Sequence, residues 1–190
     1  MASATAAADV REAGTFAYPD TRMLLASDGS TTVLLQAVAG PIRVVVREQY
    51  ETAGAGLPSD ARAALRITPD SVALMRRSAL YDEHGRCVSV NEVVAVCHQD
   101  PVLGPLVTDT TRPLGRNLVD VGLRRRVLDT GLTVWPEDRQ APAAAYKTYI
   151  LLDGDQPVLH INETFNPELI KPDLQPGTGD AAGSRAPEPA

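Results

Sequence analysis

The sequence predicts an α+β domain, in which helices and antiparallel strands occupy separate stretches of the chain. Two pairs of strand-like segments are each joined by a tight turn, and segments of helical character lie before and between the pairs. The strict strand-helix alternation of a parallel sheet is missing, as are glycine-rich phosphate loops and a Gly-x-Ser-x-Gly elbow. A chain of 190 residues has room for one domain with a real core.

Both ends of the chain are predicted to lie outside this domain. Residues 1–8 are rich in Ala, Ser and Thr, and the last sixteen are rich in Pro, Gly and Ala with no large apolar residue. Such segments bury too little apolar surface to offset the entropy of ordering. We therefore expect flexible tails at 1–17 and 175–190 and a single domain over 18–174.

The first elements are predicted to be two short helices that pack on a sheet. Gly29 separates them, Ser30 or Thr31 is suited to cap the second helix, and Gly40 ends it. The second helix is not basic, so it does not resemble a DNA-reading helix. A strand is predicted at 42–50.

Residues 51–70 form a long connection with room for one short helix near 59–65. Connections of this length in compact domains often act as lids.

A β-hairpin is predicted from two strand-like runs at 71–81 and 86–97. In the second run, Glu92 lies in the middle of a face that is otherwise made of valines. In the first run, Arg76 and Arg77 point to opposite faces, and alternation alone does not decide which of them points inward.

After the hairpin, Pro113 with Leu114 and Gly115 is predicted to open a helical stretch that reaches about residue 123. The basic cluster at 124–126 is then interpreted as a solvated helix face.

A further strand is predicted at 146–152, and a turn at Asp153 and Gly154 joins it to the last predicted strand, at 157–167, which places Glu163 among apolar neighbours. Leu159, Ile161 and Phe165 share its face. An unpaired carboxylate there costs several kcal/mol or becomes protonated. Two interpretations remain open: a buried salt bridge or sheet-edge carboxylate, and a catalytic or ligand-orienting acid in a pocket walled by the sheet.

Charge and composition exclude several classes of partner. A net charge of -6 and a pI near 5.0 argue against non-specific binding to nucleic acid or anionic membranes. No apolar run approaches the ~20 residues that span a bilayer, so we expect a cytoplasmic protein. Cys87 and Cys97 are too far apart on one strand to form a disulfide. The three histidines show no metal-ligand spacing, so no metal is expected.

The order of these signals resembles the chorismate lyase family, whose members convert chorismate to 4-hydroxybenzoate and pyruvate. Four features carry the resemblance: the Asp-Gly-Ser-Thr-Thr turn at 28–32, Arg77 ahead of the hairpin glycine, the Pro-Leu-Gly at 113–115, and Asn-Glu-Thr-Phe-Asn-Pro at 162–167. It implies an antiparallel sheet of about six strands with helices on one side and helical flaps over a closed pocket.

The resemblance also implies roles for individual residues. Arg77 would hold the ring carboxylate of the substrate, Leu114 and Gly115 would contribute main-chain groups, and Glu163 would contact the ring hydroxyl and act as the general base. A guanidinium grips a carboxylate in a bidentate way, and positioning with proton transfer is the main requirement of this elimination. We therefore predict a lyase that needs neither cofactor nor metal, acting as a monomer or homodimer on a small carboxylate substrate.

Glu92 is a departure from the family, which has a second arginine at this place. A carboxylate facing a dianionic substrate is repulsive unless it is protonated, turned away or paired, for example with Arg77. Glu92 therefore leaves open a second hypothesis, a natural-product tailoring enzyme acting on another acid.

A third hypothesis is a small-molecule-sensing domain, because the effector domain of some winged-helix repressors shares this fold. Against it, we expect no DNA-reading module ahead of residue 18.

Overall fold

The computed structural model describes residues 8–138, 140 and 143–176. In this part of the chain, seven strands form one antiparallel sheet and five α-helices pack against it. No helix among these residues has the length and apolar character needed to cross a membrane. The strands are β1 (Asp9–Val10), β2 (Arg43–Ala53), β3 (Val72–Tyr81), β4 (Cys87–Ala95), β5 (Arg124–Thr133), β6 (Ala144–Asp153) and β7 (Gln156–Phe165), and the helices are α1 (Pro19–Ala26), α2 (Thr31–Ala39), α3 (Ser59–Leu65), α4 (Leu103–Thr108) and α5 (Leu114–Asn117).

The sheet has the strand order β1-β5-β6-β7-β4-β3-β2. Two hairpins, β3–β4 and β6–β7, lie side by side through the pairing of β4 with β7. Their turns contain Gly85 and Gly154, whose φ angles of 78° and 57° suit glycine. The two predicted hairpins and the α+β class are therefore confirmed, with one strand more than the six expected.

The two faces of the sheet have different coverings. Glu163 pairs in register with Asn91 on β4 and Lys147 on β6, so these three side chains project from one face. We call it the helical face, because apolar residues of α1, α2 and α4 pack on it. On the opposite face, α3 packs through Ala61 and Leu65.

The first two helices follow the sequence prediction. Gly40, with a φ of 78°, directly follows α2, and its N–H donates to the carbonyl of Gln36 at 3.0 Å. Leu25 of α1 and Leu35 of α2 are fully buried against the sheet. Helix α3 lies where the short helix was predicted, but it packs on the face away from Glu163.

The folded region begins earlier than the predicted boundary at residue 18. β1 pairs with Leu132 and Gly131 of β5, and Phe16 is fully buried. A strand of two residues is too short to leave a periodic pattern, so the predicted N-terminal tail extended too far into the domain. Of the predicted C-terminal tail, residues 177–190 lie outside the described part of the chain, whereas the N–H of Gln175 donates to the carbonyl of Thr15 at 2.8 Å.

The basic cluster at 124–126 belongs to a strand and not to a helix. Helix α5 ends at Asn117, and β5 begins at Arg124 and pairs with β6. The solvated-helix interpretation was therefore wrong for this cluster. Because strand residues alternate in direction, Arg124 and Arg126 are exposed while Arg125 is half-buried on the helical face.

Candidate functional site

A pocket lies between the helical face of the sheet and the first residues of α2 and α5. The pocket opens to solvent, and the space between its walls, counted together with the solvent at its mouth, is about 440 Å³. One part of its wall is apolar, and the other presents hydroxyl, amide, guanidinium and carboxyl groups. The lining residues are Thr32, Val44, Ser78, Leu80, Asn91, Val93, Leu114, Gly115, Leu118, Arg125, Tyr149, Leu151, Ile161 and Glu163.

Glu163 is the buried acid of this pocket. Its side chain is shielded from solvent, with 1% of the residue exposed. The hydroxyl of Ser89 donates to Oε1 at 2.8 Å, and the hydroxyl of Tyr149 lies 3.5 Å from Oε2. Burial raises the pKa of Glu163 to about 7, although both hydroxyls and the nearby Lys147 favour the charged form. Glu163 therefore changes charge near neutral pH.

Arg125 is the cation that lines the pocket. Its Nη1 donates to the carbonyl of Asp28 at 3.2 Å, and its guanidinium carbon lies 5.2 Å from the ring centroid of Tyr149. Its Nε is buried and has no hydrogen-bond partner within the described structure. One N–H of a charged group in the pocket wall therefore lacks an acceptor in the described structure.

Lys147 is the register neighbour of Glu163 on β6 and is fully buried. Its Nζ donates to the carbonyls of Leu24, at 3.1 Å, and Ser27 at the C-terminal end of α1. A cation is favourable at this end of a helix, where carbonyls lack intrahelical partners. Burial nevertheless lowers the pKa of Lys147 to about 8.

Helices α2 and α5 meet over the pocket at Thr32 and Gly115. A Cβ added to Gly115 would lie 3.0 Å from the Cβ of Thr32 and closer still to its Oγ1, so a larger residue does not fit there. Ser30 precedes α2 without making a side-chain cap, and its hydroxyl lies 3.4 Å from the carbonyl of Gly115. Leu114 and Gly115, singled out from the sequence, thus line the pocket beside Glu163.

Arg77 and Glu92 lie on the other side of the sheet, contrary to the predicted arrangement. Arg77 pairs in register with Glu92, donates to it at 3.0 Å and to Glu48 at 3.1 Å, and keeps 48% of its side chain exposed. Both residues are one position out of phase with the pocket-lining Ser78 and Asn91. The predicted meeting of Arg77 with Glu163 in one chamber was therefore wrong, and Glu92 is turned away and paired with Arg77.

The inward arginine of this hairpin is Arg76. Only 1% of it is exposed, and Nη1 donates to the carbonyls of Val107 and Asp109 at 3.2 and 2.7 Å. Burial lowers its pKa, and its Nε and Nη2 have no partner within the described structure. Arg76 lies two residues from Ser78 on the same face, directly beyond the pocket wall.

Sequence reasoning missed Arg125, Lys147, Ser89 and Tyr149. A signal existed for Lys147. The mostly apolar run at 144–152 is typical of a strand buried on both faces, and Lys147 is the one charged residue within it. Arg125 could have been found only by recognising its segment as a strand.

Comparisons with known proteins agree on the fold. No protein-family model and no curated protein sequence matches this chain. Among solved structures, it is similar to the effector domain of PhnF from Mycobacterium smegmatis, with a TM-score of 0.57 and 15% identity over 75% of this chain and 91% of that one. For PhnF itself the TM-score is 0.58, with 15% identity over 76% of this chain and 67% of that one. For the C-terminal domain of the histidine utilization repressor from Pseudomonas syringae pv. tomato, the TM-score is 0.54, with 13% identity over 68% of this chain and 94% of that one.

These findings confirm the chorismate lyase-like fold and correct the predicted function. The similar structures include an effector domain and the C-terminal domain of a repressor, and no sequence match supports a chorismate lyase. The chorismate lyase activity inferred from the resemblance was therefore wrong. The fold was predicted correctly and the activity was not, because one fold can serve unrelated functions. The residues given to that activity also fail to come together, since Arg77 and Glu163 lie on opposite faces.

Proposed function

We propose that this chain is a small-molecule-sensing domain whose ligand is a small organic acid. The similarity of its fold to regulator effector domains supports the sensing role. The ligand class is argued from the pocket, since similarity of fold does not identify a ligand.

The observation that carries the proposal is the unpartnered Nε of Arg125 in the pocket wall. Buried donors are normally hydrogen-bonded. Leaving a buried donor without an acceptor costs free energy, and the cost is larger for a charged donor than for a neutral one. An anionic oxygen in the pocket would supply the missing acceptor, and the uncapped N-terminal end of α2 lies beside it at Thr32.

The rest of the wall favours an acid with an apolar body. Five large aliphatic side chains line the pocket, and burying an apolar ligand against them contributes roughly 25 cal/mol for each Å². The ligand is therefore expected to combine one anionic group with a small apolar body. The aliphatic residues are Leu80, Leu114, Leu118, Leu151 and Ile161.

The proposal is tested by titrating benzoate, hexanoate and inorganic phosphate into three proteins: the unmodified chain, Arg125→Met and Arg126→Met. Arg126 is the matched control, because it is the exposed neighbour of Arg125 on the same strand. We expect benzoate or hexanoate to bind, with affinity at least about 10-fold lower in Arg125→Met and unchanged in Arg126→Met.

Calorimetry gives the affinities, and thermal unfolding in the same buffers checks that each variant is folded. Equal affinity in the unmodified chain and folded Arg125→Met would remove Arg125 from the site. Failure of both benzoate and hexanoate to bind the unmodified chain, whether or not phosphate binds, would refute the acid-sensing function.

A further inference from the structure

The connection between α1 and α2 makes polar contacts with side-chain and backbone groups in and beside the pocket wall. We call residues 27–30 the α1–α2 corner. Lys147 donates to the carbonyl of Ser27, Arg125 donates to the carbonyl of Asp28, and the hydroxyl of Ser30 lies 3.4 Å from the carbonyl of Gly115. The corner itself is at the surface, where Asp28 and Gly29 are exposed. A surface segment is thus held from below by two cations of the sheet.

The two cations differ in their access to a ligand. Lys147 is fully buried, does not line the pocket, and bonds Leu24 as well as Ser27. Arg125 lines the pocket, bonds the corner only through Nη1, and has an unpartnered Nε. A ligand in the pocket can therefore compete for Arg125, while Lys147 keeps the end of α1 in place.

We propose that the α1–α2 corner reports occupancy of the pocket: an anion bound to Arg125 draws the guanidinium from the carbonyl of Asp28 and loosens residues 28–30. This inference rests on the proposed acid-sensing function and adds to it the element through which binding would become visible at the surface.

The physical reason is the difference between the two acceptors. A carboxylate carries a full negative charge and accepts two parallel bonds from a guanidinium, whereas the carbonyl of Asp28 is neutral and accepts one. The guanidinium is planar and rigid, so aligning one edge with an anion moves its other nitrogen atoms as well. The bond from Nη1 to Asp28 is already long at 3.2 Å and is the one that yields.

Amide hydrogen exchange of the whole chain, read by mass spectrometry on a peptide covering 24–32, tests this inference. Without any anion, Arg125→Met should raise exchange of this peptide by at least about 3-fold, and Arg126→Met should leave it unchanged. Arg125→Lys, which keeps the charge but lacks the fork, should act in the same direction. If both Arg125 variants exchange at the rate of the unmodified chain, Arg125 does not hold the corner and the inference is overturned.

The second arm adds benzoate or phosphate to the unmodified chain, at about 50 mM and constant ionic strength so that screening does not change. We expect slower exchange in a peptide covering 157–165, which includes the pocket floor, and faster exchange in the peptide covering 24–32. Protection of the floor with unchanged or slower exchange at the corner would overturn the coupling and leave acid binding standing. No protection of the floor by either anion would remove both the coupling and the acid site.

Discussion

Replacing Glu163 by Gln is expected to change how the stability of the domain depends on pH. In the folded chain the pKa of Glu163 is raised from its ordinary value of 4.5 to about 7 by burial. The folded state therefore favours the protonated acid. Its contribution to stability is fully present below pH 4.5 and is lost as the pH rises through about 7. The amide introduced by Glu163→Gln is neutral at every pH, so this variant would not show the loss.

The size of the effect follows from the two pKa values. A rise from 4.5 to about 7 corresponds to roughly 3 kcal/mol of folding free energy lost by the unmodified chain at alkaline pH. Gln keeps the volume of Glu but presents an NH₂ to one of two donating hydroxyls, which costs about 1 kcal/mol. At pH 5 the two proteins should thus agree within about 1 kcal/mol, and at pH 8 Glu163→Gln should be about 2 kcal/mol more stable.

Urea unfolding at several pH values between these limits measures the difference. Glu163 raises the pKa of Lys147, so Glu163→Gln should lower that pKa further and reduce the advantage of the variant near pH 8. Glu92→Gln is the matched control: Glu92 is partly exposed on the opposite face, and removal of its ion pair with Arg77 should cost less than about 1 kcal/mol. If the curves for Glu163→Gln and the unmodified chain run parallel, Glu163 is ionised throughout the range and the argument from its burial fails.

Two further substitutions test the packing and the orientation of this face. Gly115→Ala should destabilise the domain by about 1–3 kcal/mol in urea unfolding, because the new methyl overlaps Thr32. Adding Thr32→Ala should recover part of this loss. Unchanged stability in Gly115→Ala would show that α2 and α5 are not in close contact. Arg76→Met should leave the free energy of unfolding within about 1 kcal/mol of that of the unmodified chain, or raise it, because the buried guanidinium has two unpartnered nitrogens. The exposed neighbour serves as the control, since Arg77→Met should change the free energy of unfolding by less than about 1 kcal/mol. A loss above about 3 kcal/mol in Arg76→Met would mean that its bonds to Val107 and Asp109 outweigh the cost of burial.

Local patterns were sufficient where the signal lies within a few residues. The hairpin turns were predicted from Gly85 and Gly154 between strand-like runs, and the structure has both turns there. The same holds for α3 and for the helix pair around Gly29. Alternation also grouped Glu163 correctly with Ile161 on one face.

The sequence was insufficient where long-range pairing decides the structure. Alternation placed Arg76 and Arg77 on opposite faces of the sheet. Which face is buried depends on where α1, α2 and α4 pack, and the packing of these helices involves residues far apart in the sequence. The resemblance assigned Arg77 to the inward face, whereas the strand register places Arg76 there. Three consecutive arginines favour a solvated surface, so nothing local identified Arg125 as a residue of a strand that pairs with β6.

The charges beneath the helices support an anionic ligand independently of any similarity. The helical face presents Arg76, Arg125 and Lys147 against the buried carboxylate of Glu163, in a chain whose net charge is -6. Burying cations without matching anions is costly, and the cost persists only if something offsets it. Backbone carbonyls compensate Lys147 and partly compensate Arg76, whereas Arg125, a residue of the pocket wall, retains a buried N–H without an acceptor in the described structure. A bound acid would neutralise this excess, and it would do so best below about pH 7, where Glu163 is protonated, and above the ordinary carboxylic acid pKa of about 4, where the ligand is still charged.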